Sequence, residues 1–186
     1  MKKTFLTIAL LVTTMTLVAS CGQRAKTNEA TAVEATETAE AQEQQAEAAP
    51  LVPDFELPDL QGNPLKLSSL RGKYVVIDFW GSWCVWCIRG IPKMKEVYAK
   101  HKEKMEILGV DCHDTEDKWK AAVDENQMPW LQVRCPDEKV QALREMYNIE
   151  GFPTKVIVDP EGKLVKVVVG EDPAFYSFLD ELFRSK

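Results

Sequence analysis

The stretch Tyr74-Val75-Val76-Ile77-Asp78-Phe79-Trp80-Gly81-Ser82-Trp83-Cys84-Val85-Trp86-Cys87 decides both the fold and the chemistry of this chain. Its first seven residues are almost all apolar, the pattern of a strand covered on both faces. From Cys84 to about Lys100, Ile88, Ile91, Met94, Val97 and Tyr98 return at helical spacing, and Pro92 should kink that helix. Two cysteines three apart at a helix start can close a small reversible disulfide, and the helix's positive end favours a thiolate on the first. Cys84 is therefore the expected exposed, attacking sulfur. Cys87, one turn further in, is the more buried thiol that resolves a mixed disulfide. A static staple is the weaker reading, since so small a loop restrains little of the unfolded chain. Zinc and haem sites share this spacing, but Ile88 stands where covalent haem attachment needs His.

Outward from this turn the pattern alternates. Met105–Asp111 reads as a second strand, and Asp114 or Thr115 can cap a helix running to about Asn126. Trp130–Arg134 reads as a short third strand, followed by a helix from about Lys139 to Tyr147. Lys155–Asp159 and Leu164–Val169 flank the turn Pro160-Glu161-Gly162, a hairpin signal. Ala174–Phe183 closes the chain as an amphipathic helix. Alternation first and a hairpin last predicts an α/β fold with a mixed central sheet and helices on both faces.

The first twenty residues read as targeting. Lys2 and Lys3 form a positive n-region, and the apolar stretch Phe5 to Val18 is shorter than the ~20 residues of a spanning helix. Leu17-Val18-Ala19-Ser20-Cys21 looks like a lipoprotein signal cleaved before Cys21, whose thiol would carry the lipid; an ordinary secretory peptide with an incidental Cys is the alternative. Two or three acyl chains give stable membrane attachment where one is marginal. Residues 22–49 turn to Ala, Glu, Thr and Gln, a composition that cannot offset its own ordering entropy. Glu34, Glu37, Glu40, Glu43 and Glu47 recur at helical spacing, but like charges at that spacing oppose a helix. The expected organisation is a signal peptide over 1–20, a lipidated Cys and flexible tether over 21–50, and one domain over 51–186. As a coil the tether would span on the order of 30 Å. The net charge of −6 partly reflects this acidic segment. Without a basic stripe, nucleic acid is an unpromising partner.

The run Val75 to Trp80, the Trp83 before the first Cys, Pro92, and Gly151-Phe152-Pro153-Thr154 together resemble the thioredoxin superfamily. Pro53-Asp54-Phe55-Glu56-Leu57 through Leu65 to Lys73 is similar, more specifically, to envelope thioredoxins of the TlpA/ResA type, and the resemblance runs from about residue 50 to the C-terminus. It implies a thioredoxin-like fold with an N-terminal β-hairpin and an inserted helix and strand at about 113–135. It implies a protein disulfide oxidoreductase without cofactor or metal, facing the periplasm on its lipid anchor. Its partners would be client proteins and an inner-membrane thiol–disulfide carrier, with reduction of clients, as in cytochrome c maturation, the favoured direction. Asp78 is implied to be a buried acid that exchanges Cys87's proton; burial should raise its pKa towards neutrality. Pro153 is implied to be a cis proline facing the cysteines, with Phe152, Thr154, Trp83 and Trp86 at the client-contact surface. A satisfied core Asp and an ordinary trans proline are the plain alternatives. Val85-Trp86 departs from the family, whose members carry Gly-Pro or an acidic residue with Pro between the cysteines. That departure leaves open the reduction potential and the direction of electron flow.

Cys112 and Cys135 remain. In this topology both sit at the ends of neighbouring parallel strands, within the Cα range of a disulfide. A structural disulfide, two free buried thiols and a second redox pair are all open. His113 hints at metal but is a common loop residue. Three rival functions share parts of the pattern: a peroxiredoxin-like thiol peroxidase, a copper metallochaperone using Cys84, Cys87 and His113, and a structural envelope lipoprotein. The peroxidase fits poorly because Ser82-Trp83-Cys84 lacks the Thr before a lone peroxidatic Cys. The chaperone usually spaces its thiols one residue wider. The structural lipoprotein has no use for Asp78, Cys84 and Pro153 together.

Overall fold

The computed structural model describes residues 49–184; the segments read as signal peptide, lipidated Cys21 and tether, up to residue 48, lie outside them. Among the described residues, β3 (Tyr74–Trp80) is the middle strand of a five-stranded sheet. Every β3 residue after Tyr74 is buried, as its unbroken apolar run requires. It pairs in parallel with β4 (Met105–Cys112) and antiparallel with β6 (Thr154–Val158). β5 (Leu131–Cys135) adds in parallel outside β4, and β7 (Leu164–Val169) closes the other edge against β6. A separate hairpin, β1 (Glu56–Pro58) and β2 (Pro64–Lys66), precedes a 3-10 turn over Leu67–Leu70.

Helix α1 (Val85–His101) connects β3 to β4, and α2 (Glu116–Glu125) connects β4 to β5. α3 (Asp137–Tyr147) follows β5, and α4 (Pro173–Arg184) ends the described chain. The two side-chain periods of β3 build two cores. Val76 and Trp80 face α1, α2 and α4 through Cys87, Ile91, Met94, Trp119, Phe175 and Leu179. Val75, Ile77 and Phe79 face α3 and the N-terminal hairpin through Val140, Leu143, Tyr147 and Leu57.

α1 runs on through Pro92, where the missing N–H removes one bond to the preceding turn. Of the two residues expected to cap α2, Thr115 does so, accepting from Lys118 N at 3.4 Å. Asp114 is turned the other way, towards Ser82. α3 stops at Asn148, whose left-handed backbone (φ 51°, ψ 48°) suits a small polar side chain. It starts at Asp137, earlier than the periodicity indicated, because Asp137 and Glu138 favour the first turn's free N–H groups.

Candidate active site

Cys84 and Cys87 are joined by a disulfide at the start of α1, with Cα atoms 5.2 Å apart. Cys84 caps the helix, its sulfur accepting from Cys87 N at 3.2 Å. The site is therefore held by the same first-turn N–H groups that would stabilise a thiolate on Cys84 once the bond is reduced. One expectation needs correction. Cys84 is not the more exposed sulfur: both cysteines are 6% exposed and pack with Trp80 in the α1-side core. The surface around them is instead taken by Trp83, Val85 and Trp86, which are 49–59% exposed. Arg89 lies over the Trp86 ring at 5.0 Å.

The turn before the disulfide is pinned to β4. Trp83 Nε1 donates to Cys112 O at 2.9 Å. Asp114 accepts from Ser82 N at 2.6 Å and from Ser82 Oγ at 2.7 Å. Burial opposes the charge on Asp114, but the neighbouring Asp111 carboxyl and the two bonds from Ser82 outweigh it and hold the carboxyl below its usual value. Asp111 is fully buried, and neither of its oxygens meets hydrogen-bond geometry with a neighbour. Burial, with the Asp114 carboxylate second, pushes Asp111 up to about 9; burial alone gives that direction whatever the strength of the contact with Asp114.

The Phe152–Pro153 peptide is cis. Phe152 packs edge-on against Trp83 at 5.3 Å and His113 at 6.3 Å, so the loops after β3, β4 and α3 meet in one aromatic cluster. Pro153 O accepts from Gly170 N at 2.7 Å. Thr154, expected beside these residues at the client surface, is fully buried and donates its hydroxyl to Gly151 O at 2.7 Å. Its side chain belongs to the fold, because it opens β6 on an inward position. His113 has a left-handed backbone and packs edge-on against Trp83. Among the described residues, no three His, Cys, Asp or Glu side chains converge as a metal site.

Asp78 is buried on the α1 side of β3, and burial raises its pKa before any neighbour acts. Its register partner on β6 is Lys155, whose Nζ lies 3.6 Å from Asp78 Oδ1 and 3.1 Å from Glu171 Oε2. Sequence reading missed Lys155, Glu171, Asp111 and the turn-holding role of Asp114. The signal for Lys155 was present: a lone charge in the apolar run Lys155-Val156-Ile157-Val158, on a strand that pairs with the one carrying a lone acid.

Of the three states open for Cys112 and Cys135, the structure has two free buried thiols. The two are register partners on β4 and β5, yet both are free, fully buried thiols. Each sulfur turns to a carbonyl of its own segment, Cys112 to Val110 O at 3.8 Å and Cys135 to Pro136 O at 3.7 Å. Both face α3, so the sheet separates them from Cys84 and Cys87. Burial pushes Cys135 up to about 11 and Cys112 higher still, which leaves both poor nucleophiles.

A thioredoxin-like family model matches residues 72–164. The thiol-disulfide oxidoreductase ResA of Bacillus thuringiensis (strain Al Hakam) is 35% identical over 120 residues, covering 64% of this chain and 68% of that protein. ResA of Bacillus subtilis (strain 168) is 38% identical over 122 residues, covering 63% and 65%. Among solved structures, the thioredoxin domain of a thiol-disulfide oxidoreductase from Bacteroides vulgatus superposes with a TM-score of 0.67 at 34% identity, covering 72% of this chain and 96% of that one. With the cysteine pair on its helix start and the cis proline beside the same loops, the chain belongs to the thioredoxin-like family and is a thiol–disulfide oxidoreductase of the ResA-like type.

Proposed function

We propose that this protein reduces disulfides of client proteins from a lipid anchor at Cys21, on the periplasmic side of the cell envelope. One observation carries the protein-client reading: the Cys84–Cys87 bond is buried while Trp83, Val85 and Trp86 around it are exposed. A small disulfide needs no such surface, whereas an apolar segment of a client can dock there and expose the sulfur.

In the reduced protein the Cys84 thiolate attacks one client sulfur, forming a mixed disulfide and releasing a client thiolate. Asp78 takes the proton of Cys87, and the resulting thiolate attacks Cys84. That step closes the Cys84–Cys87 bond and releases the second client thiolate. Two electrons pass from the protein dithiol to the client, and both client sulfurs take up protons. An inner-membrane thiol–disulfide carrier then returns two electrons to the pair. Phe152 and Pro153 offer the client a backbone edge beside the disulfide.

Three measurements test this. A Cys87→Ser variant should hold a disulfide-bonded substrate protein on Cys84, and further loss of Cys84 should abolish the adduct. Equilibration with glutathione should give a potential more negative than the glutathione couple; a more positive value would make the protein an oxidant. Mass spectrometry of the mature protein should find lipid on Cys21, and an unmodified Cys21 would remove the anchor.

A further inference from the structure

Asp78 is one member of a largely buried polar group, with Lys155, Glu171 and the Tyr176 hydroxyl, drawn from four segments. Partner residues in an antiparallel ladder project to the same face, so Lys155 of β6 lies beside Asp78 of β3. Lys155 is 2% exposed, and its ammonium contacts Glu171 more closely than Asp78, 3.1 Å against 3.6 Å. Glu171 follows β7, and its other oxygen accepts from the Tyr176 hydroxyl of α4. α1 makes room for it: a Cβ on Gly90, one turn beyond Cys87, would sit 2.4 Å from Glu171 Oε2. The ring of Phe175 lies 5.7 Å from Lys155 Nζ.

One ammonium faces two carboxyl groups where burying an unpaired charge is costly. Glu171 has the shorter contact and a hydroxyl donor, while Asp78 Oδ1 has no hydrogen-bond partner. Lys155 is therefore committed mainly to Glu171, and Asp78 is left as the group that holds or gives a proton. We propose that Lys155 and Glu171 are positioning residues that set the pH at which Asp78 exchanges its proton with Cys87, with Glu171 drawing the ammonium of Lys155 away from Asp78. This rests on the role of Asp78 proposed above.

The other groups facing Asp78 do not replace this pair. β4 presents Gly109 as register partner, with Asp111 two residues on, α1 carries Cys87 in the core on that face, and α4 brings the Tyr176 hydroxyl, which also feels Glu96 of α1. Lys155 is the cation against Asp78, so removing Lys155 or Glu171 must act with opposite sign. The direction of Asp78's pKa agrees: burial raises it first, Lys155 lowers it and Glu171 raises it.

The test follows reduced protein at saturating oxidised glutathione. The first-order phase is the closing of Cys84–Cys87: the Cys87 proton passes to Asp78, Cys87 attacks Cys84, and glutathione thiolate leaves. Its rate is measured against pH for the parent, Asp78→Asn, Glu171→Gln and Lys155→Met, with folding checked by circular dichroism. The parent should show a rising limb that Asp78→Asn loses. Glu171→Gln should move the limb to lower pH and Lys155→Met to higher pH, each by about one pH unit or more, the effect of one charge at this range. If Lys155→Met does not fold, Glu171→Gln decides by the same sign. A limb that survives Asp78→Asn overturns both the role of Asp78 and this inference. A limb lost in Asp78→Asn, but unmoved or moved the wrong way by Glu171→Gln, overturns this inference alone.

Discussion

The indole N–H of Trp83 donates to the carbonyl oxygen of Cys112 at 2.9 Å, tying the turn before the disulfide to the end of β4. The contact exists because residue 81 is glycine: a Cβ there would lie 2.3 Å from Trp83 Nε1 and 2.9 Å from Cys112 O. The carbonyl is backbone and cannot step aside. Gly81→Ala is expected to cost ~1–3 kcal/mol, as overpacking a tight site does, and to slow disulfide exchange by loosening the turn. Urea unfolding together with exchange kinetics checks both; stability within about 0.5 kcal/mol of the parent would contradict the account.

Trp86 is 59% exposed and touches only Arg89 among the ring and cation contacts of the described residues. Trp86→Ala should leave stability within about 0.5 kcal/mol, as for an exposed substitution. It should slow exchange with a protein disulfide several-fold and leave exchange with glutathione nearly unchanged. An equal loss for both substrates would show that Trp86 acts on the cysteines and not on the client.

Cys112 and Cys135 sit on the far face of the sheet from the redox pair, so a Cys112→Ser, Cys135→Ser double variant should keep the parent exchange rate. It should lose stability, by roughly 1–3 kcal/mol per buried hydroxyl that fails to find a partner. Peptide mapping without reductant should return both residues as thiols in the parent. A peptide linking them would overturn that state.

Asp111 gives a pH dependence of known sign. In the unfolded chain its carboxyl ionises near the ordinary ~3.9, whereas the native group is held at about 9 by burial and Asp114. The native state keeps a proton that the unfolded state loses. The contribution is full below the unfolded pKa and declines as pH rises towards about 9. The slope is at most about 1.4 kcal/mol per pH unit. Asp111→Asn should remove it, so its stability relative to the parent should improve between about pH 5 and about pH 8 in urea unfolding. A difference that stays constant over that range would contradict a protonated Asp111.

The main elements of the sheet and helices were legible because β3, α1 and the last helix carry nearly unmixed periodicities. Boundaries slipped by a residue or two where a charge decided them, as at Asp137. The redox pair and cis Pro153 could be expected from a local signature. What could not be read was everything that depends on side chains meeting across strands. Asp114 has the composition of a helix cap, and only the return of β4 beside the Ser82 turn reveals its partner. Lys155 and Glu171 are ordinary charges until the β3–β6 register and Gly90 bring them under α1. Cys112 and Cys135 show the converse: adjacency was foreseeable, but the turn of each sulfur towards its own segment was not.

The central claim is that Cys84 and Cys87 form a reversible pair that trades electrons with protein disulfides. The direct measurement gives the chain, reduced and freed of reductant, a stoichiometric disulfide-bonded substrate protein, then maps the products. The account predicts one Cys84–Cys87 bond formed per substrate disulfide opened, and none with Cys84→Ser. Substrate opened without that bond, or the bond never forming in the parent, would contradict it.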